Sequence, residues 1–373
     1  MSDTLIIGGG LAGAAAALEL ADLGHSSLII EGRGRLGGRA HSRDWGNSGG
    51  PVEYGGGWVR KDHVRMLALS KRLGIGLTSR AAITGHSHFR AGHWQADPAE
   101  DMAEYAAGLA QVLADAAQMG SDSATARQIH GMTLQDYLDH RALPASVRRE
   151  VLAWWALSGS GAPDRIGVNE YLTPKLAKGL LVKIEELAFT IDGGVSGLVT
   201  AAARASGAEV HFGDAVERLE DQGSMVRATL GSGRVIEART ALVAVPVNAL
   251  AQIRFVPPLN AAQQNLRASG HQGDALKLLI RARGPKPGHL ATGETLGFRW
   301  IYADHLLPDG STLLVAFALR AEVGEPDHAT VAAVLEAAFP GAELVDFDWH
   351  DWHSDPFARG TWVSPALATL PDY

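Results

Sequence analysis

The run Gly8-Gly9-Gly10-Leu11-Ala12-Gly13 constrains this chain more than any other feature, because of what flanks it. A short apolar run, Thr4-Leu5-Ile6-Ile7, precedes it, and residues 14–23 follow with helical composition closed by Gly24. Strand, glycine turn and helix are expected in that order. The turn satisfies G-x-G-x-x-G, whose glycines allow a tight turn, close approach of backbone to a pyrophosphate, and packing of helix on strand. Ser27-Leu28-Ile29-Ile30 reads as a second buried strand, so residues 4–31 make a βαβ unit and a parallel sheet begins at once.

In that setting the helix N-terminus turns its free N–H groups and partial positive charge toward a bound phosphate. Glu31 closes the second strand, where an acid accepts hydrogen bonds from both ribose hydroxyls and would repel a 2′-phosphate. FAD or NAD fits this pattern, and NADP does not.

The rest of the chain sets the scale. Its 373 residues are 46% hydrophobic and 20% charged, enough apolar material for two packed lobes. A formal charge of −8 with scattered lysines and arginines argues against nucleic acid. No apolar run reaches the roughly 18 to 20 residues that span a bilayer, and no basic-then-apolar leader precedes the first strand, so no membrane partner and a cytoplasmic location are expected. The absence of cysteine excludes disulfides, thiolate catalysis, cysteine-ligated metals and a cysteine-tethered cofactor.

Residues 101–187 read as helical, with Thr133-Leu134-Gln135-Asp136 placed to open a helix as a capping box. After Gly193-Gly194 the pattern turns to short strands: Val210-His211-Phe212, residues 226–230, Val235-Ile236 and residues 241–245, with a Gly231-Ser232-Gly233 turn. A further strand is expected at 312–318 and a helix at 330–338. The fold class is therefore α/β, a Rossmann-like dinucleotide-binding domain with an interleaved α+β substrate domain. The expected boundaries are 1–80 and 193–284 for the binding domain, and 81–192 and 285–373 for the substrate domain.

Directly after the acid, Glu31-Gly32-Arg33-Gly34-Arg35-Leu36-Gly37-Gly38-Arg39 resembles the E-x-R-x-R-x-G-G-R signature of the flavin monoamine oxidase family. Bacterial oxidases of the 6-hydroxy-L-nicotine oxidase type are the branch it most resembles. Glu53-Tyr54-Gly55-Gly56-Gly57-Trp58-Val59-Arg60 is similar to the family's glycine-rich segment beside the flavin ring, where absent side chains let a flat ring approach the backbone. The runs 241–246 and 255–259 look like further family landmarks. The resemblance implies FAD as cofactor, with Gly8, Gly10, Ala12, Gly13, Glu31, Arg33, Gly38, Arg39, Gly56, Gly57, Trp58, Arg60 and Val216 as its contacts.

Lys277 lies in Ala275-Leu276-Lys277-Leu278-Leu279-Ile280, where alternation places it opposite Leu276, Leu278 and Ile280. A lone strand lysine is ordinarily solvated. The resemblance instead implies a lysine that holds a water against the flavin and assists its reoxidation. Trp362 matches the position of one wall of an aromatic cage in front of the flavin, with core packing as the alternative. Tyr302 and Trp155 are further pocket candidates. His86-x-His88 and His350-x-x-His353 have spacings a metal could use, but neither has a matching carboxylate or cysteine set, and Trp349 and Trp352 suggest packing, so no metal site is expected.

The activity implied is oxidation of a primary, secondary or cyclic amine to an imine, with oxygen as acceptor and hydrogen peroxide released. The family's closing segment, with its phenylalanine-alanine-glycine run, is not met before Tyr373. An incomplete sequence is the expected explanation, with a homodimer or second chain that completes the fold, or a loss of catalysis, as the alternatives. Two other readings stand beside this one: a noncatalytic FAD-binding protein, motivated by the missing closing segment, and a flavin desaturase or isomerase acting on a lipid-like substrate, which shares the N-terminal signature.

Overall fold

The computed structural model describes residues 2–90, 93–95, 102–173 and 187–362. The first apolar run forms strand Ser2–Ile7, which pairs in parallel with Ser27–Glu31 on one side and Val235–Val243 on the other. Helix Leu11–Asp22 makes the crossover between the first two strands. The sheet has seven strands, in the order Arg254–Val256, Val216–Asp221, Val226–Leu230, Val235–Val243, Ser2–Ile7, Ser27–Glu31, Glu209–Phe212. Runs 235–236 and 241–245, expected as separate strands, belong largely to the single strand Val235–Val243.

Both faces of the central strands are covered, which is why those strands read as unbroken apolar runs. Ile6 and Ile29 point toward helices Leu11–Asp22 and Gly194–Ser206, whose Ala14, Ala17, Ala202 and Ala203 permit close approach. Leu5, Ile7, Leu28 and Ile30 point the other way, onto Val216, Leu219, Ala228 and Leu230.

A second seven-stranded sheet runs Glu343–Trp349, Ala275–Arg283, Thr312–Leu319, Phe298–Leu306, His289–Thr295, Gly85–Arg90, His93–Gln95. Ala275–Arg283, assigned from sequence to the dinucleotide-binding part, pairs here with Thr312–Leu319 and Glu343–Trp349. Its near-continuous apolar character fits either sheet, so pairing rather than composition decides its place. Leu276, Leu278 and Ile280 face helix His328–Ala338, while Leu279 faces a large aromatic core shared with the helical region.

That region holds helices Met102–Gln118, Ala124–His130, Leu134–His140 and Ala145–Ser158. Thr133 and Asp136 close a reciprocal capping box on the third. Part of the expected helical stretch, residues 174–186, lies outside the described residues. Among the described residues no helix is long and apolar enough to cross a membrane.

Candidate active site

A cavity of about 380 Å³ lies beyond the C-terminal ends of Ser2–Ile7 and Ser27–Glu31, the crevice where open parallel sheets bind ligands. Of the residues expected from sequence, Gly8, Gly10, Ala12, Glu31, Arg33, Gly38, Arg39 and Val216 line it. Gly13 does not. A Cβ there would stand 2.0 Å from the Gly8 carbonyl oxygen, so its role is to let the helix pack against the turn.

Glu31 is buried, and its carboxylate accepts from the backbone N–H of Gly9 and of Arg33, each at 2.8 Å. The acid thereby shapes the turn as well as facing the cavity. Arg33 is ion-paired with Asp355, and its guanidinium lies 5.3 Å from the Phe357 ring centroid. Burial holds Asp355 up, but the His350 hydrogen bond and the Arg33 cation outweigh it and bring its carboxyl to about 2. Arg39 donates to the Thr361 carbonyl, and burial together with the nearby Arg33 lowers its pKa. Among the described residues Arg39 has no carboxylate in ion-pair range, so a pyrophosphate would supply the charge this desolvated cation lacks. The glycine turn, the ribose-facing acid and the two arginines fit the adenosine diphosphate end of a dinucleotide.

Gly56, Gly57, Trp58 and Arg60 do not line this cavity. Arg60 forks onto Asp62 through Nε and Nη2. The Gly55 segment passes so close to Arg39 that a Cβ on Gly55 would meet the Arg39 carbonyl oxygen at 1.8 Å. Beyond it lies a second centre. Lys277, 8% exposed, donates from Nζ to the carbonyls of Glu53 at 2.6 Å and Gly55 at 2.9 Å. Burial pushes its ammonium down to about 8 against the opposing pull of Glu53. It is therefore a buried lysine, not a solvated one.

Trp58 stands at the hub of this centre. Its ring centroid is 5.5 Å from Lys277 Nζ, 6.1 Å from Trp300 and 6.2 Å from Phe317. Phe317, opposite Lys277 in the antiparallel register, meets Trp362 edge-on at 6.0 Å. The Trp362 indole N–H donates to the Ser158 carbonyl at 3.0 Å, tying it to the end of helix Ala145–Ser158. Arg80 covers the outer face of Trp58 at 4.1 Å and pairs with the buried Asp304. Tyr302 lies tilted against Trp300, with ring centroids 6.0 Å apart, and donates to the Ala81 carbonyl. Trp155 is placed apart: fully buried, it donates to the Gly161 carbonyl and meets Tyr171 edge-on. Its neighbour Trp154 is the one that contacts Trp300, at 6.2 Å.

The structure thus brings together Lys277, Trp58, Trp362 and Tyr302, which the sequence pointed to separately, and adds Phe317, Trp300 and Arg80 beside them and Asp355 and Phe357 at the cavity, which it did not single out. Phe317 was legible in principle, since it shares a face with Val315 and Leu313 on an expected strand. Nothing local marked Asp355 or Phe357.

The profile of flavin containing amine oxidoreductases matches residues 11–372. The (S)-6-hydroxynicotine oxidase of Paenarthrobacter nicotinovorans is 30% identical, over 98% of this chain and 88% of that protein. Pseudooxynicotine dehydrogenase of a Pseudomonas species is 26% identical, over 97% of this chain and 76% of the relative. Among solved structures, wild-type putrescine oxidase bound to putrescine superposes with a TM-score of 0.83 at 22% identity, covering 99% of this chain and 89% of that one. Cyclohexylamine oxidase from Brevibacterium oxydans gives 0.82 at 23% identity, with the same coverage of each chain. The chain is an oxidoreductase that acts on amines with FAD as its cofactor, and it belongs to the flavin containing amine oxidoreductase family.

Proposed function

We propose that this protein oxidises a small primary, secondary or cyclic amine to the imine, with release of hydrogen peroxide. The observation that carries the reading is the burial of Lys277 against the Glu53 and Gly55 carbonyls, next to an aromatic centre that runs from Trp58 through Phe317 to Trp362. Bound there, FAD would supply the two-electron acceptor that oxidation of the carbon–nitrogen bond requires, with oxygen as the final acceptor.

The chain's own residues prepare that exchange. Gly8, Gly10, Glu31, Arg33 and Arg39 hold the adenosine diphosphate end, and Gly56, whose missing side chain would point into open space, lets a flat ring approach the backbone. Trp362 and its aromatic neighbours orient the amine and exclude water, which favours the neutral form carrying the nitrogen lone pair. Lys277 supplies a positioned cation and a proton donor for a water at the reacting face.

The test is to record the visible spectrum of the purified protein, then mix it anaerobically with primary, secondary and cyclic amines and admit air. Bleaching by one class, followed by stoichiometric peroxide, is the expected result; a flavin that no amine bleaches would sink the proposal. A second reading, in which the acceptor is not oxygen, is favoured by the relatives whose names end in dehydrogenase. It predicts bleaching without peroxide.

A further inference from the structure

Three metal-ligating side chains converge outside the cavity and outside the Lys277 centre. His86 and His88 sit two apart on strand Gly85–Arg90, so strand alternation sends both to one side. Glu150 reaches them from helix Ala145–Ser158, and Thr292 comes from strand His289–Thr295, opposite His88 in the parallel register. One ligand atom from each of His86, His88 and Glu150 lies within 4.8 Å of the other two. The Thr292 hydroxyl stands among them, donating to Glu150 Oε2 at 2.9 Å, with His86 Nε2 at 2.8 Å and His88 Nδ1 at 3.1 Å. The expectation of no metal rested on the lack of a matching carboxylate or cysteine set for the His-x-His spacing. The tertiary fold supplies one from 62 residues further on, reckoned from His88 to Glu150.

The set is supported from behind. Glu150 is buried, and its Oε1 accepts from the Trp154 indole at 2.8 Å, which turns Oε2 toward the imidazoles. Outer partners of this kind orient ligands in metal sites. Two imidazole nitrogens and one carboxylate oxygen are a donor set that suits zinc, with a fourth position left for water. Ligands about 2.0 to 2.1 Å from a tetrahedral zinc stand roughly 3.3 Å apart. His88 Nδ1 and Glu150 Oε2, at 3.7 Å, are already near that spacing. Rotation of Thr292 about its Cα–Cβ bond vacates the centre for an ion.

We infer that His86, His88 and Glu150 form a zinc-binding site that clamps the strand Gly85–Arg90 to the helix carrying Trp154. Its role is structural. Trp154 packs on Trp300 and Trp300 on Trp58, so the ion stiffens one wall of the aromatic centre without touching the reacting atoms. The competing arrangement uses the same atoms without an ion: both imidazoles donate to Thr292, which donates to Glu150.

The two are separated by the fate of Thr292. Tag-free, flavin-loaded protein is stripped with EDTA, titrated with zinc chloride by calorimetry, gel-filtered and assayed for metal. About one zinc per chain should be retained. H86A/H88A and E150Q should lose it, with affinity falling by more than the roughly 10- to 100-fold that loss of an outer-shell partner costs. T292V should keep it, because the hydroxyl is not a ligand. Failure of the wild type to retain zinc, or retention unchanged in H86A/H88A, overturns the site. Should the variants not fold, zinc-edge X-ray absorption of the wild type decides: two imidazoles plus oxygen support the assignment, and one imidazole or none refutes it.

Discussion

Arg33 and Asp355, 322 positions apart, form an ion pair beside the cavity that Arg33 lines. The same late segment places Phe357 on the cavity wall and gives Arg39 the Thr361 carbonyl. The loop that carries Arg33 and Arg39 is thus held from behind by a stretch of chain distant in sequence. Asp355→Asn should free Arg33 and weaken FAD binding about tenfold, or ~1.4 kcal/mol, in equilibrium dialysis. An unchanged Kd would mean the pair does not position the loop.

Acid should act through the same pair. Asp355 sits at about 2 against an ordinary value of 3.8, so its contribution to the folded state is complete above 3.8 and is lost as pH falls toward 2. Flavin release monitored by fluorescence should begin below pH 3.8 and should be less steep in Asp355→Asn.

Gly10 and Gly13 belong to one motif but should fail differently. A Cβ on Gly13 meets backbone at 2.0 Å, whereas one on Gly10 meets nothing nearer than 3.9 Å yet borders the cavity. Gly13→Ala should reduce soluble folded protein. Gly10→Ala should fold with a melting temperature near that of wild-type apoprotein and bind FAD roughly 10- to 100-fold more weakly, a loss of about 1.4 to 2.7 kcal/mol.

Lys277 should leave a signature in the pH profile. Its ammonium is brought from 10.5 to about 8, so a limb near pH 8 is expected in kcat for flavin reoxidation, and Lys277→Met should lack it. Because the charged form is disfavoured in the folded state, its effect on stability has the opposite sign to that of an ion-paired lysine. Stability rises with pH between about 8 and 10.5, and Lys277→Met should flatten that rise in chemical denaturation.

Trp362→Ala should raise KM for the amine about tenfold while the visible flavin spectrum stays unchanged, consistent with loss of about 1.4 kcal/mol of substrate binding. Trp362→Phe keeps a ring against Phe317 and loses only the bond to Ser158, so its KM should lie between the two. Equal KM in all three proteins would place Trp362 in the core.

The cavity at the glycine turn was legible in residues 4–39 because it is local: strand, turn, helix and acid follow one another, and backbone geometry alone brings them to one crevice. Lys277 and Trp362 could be named by resemblance to a family. Their surroundings could not, since alternation tells which face of a strand a residue takes but not what covers that face. Tertiary packing decided that Lys277 is buried on the Glu53 and Gly55 carbonyls, that Trp154 rather than Trp155 meets Trp300, and that Ala275–Arg283 joins the second sheet. It also joined His86 and His88 to Glu150, and Arg33 to Asp355. A run of neighbouring residues dictates the shape of its own turn, whereas partners from distant segments meet only when whole sheets and helices have packed, and no short-range pattern records that meeting.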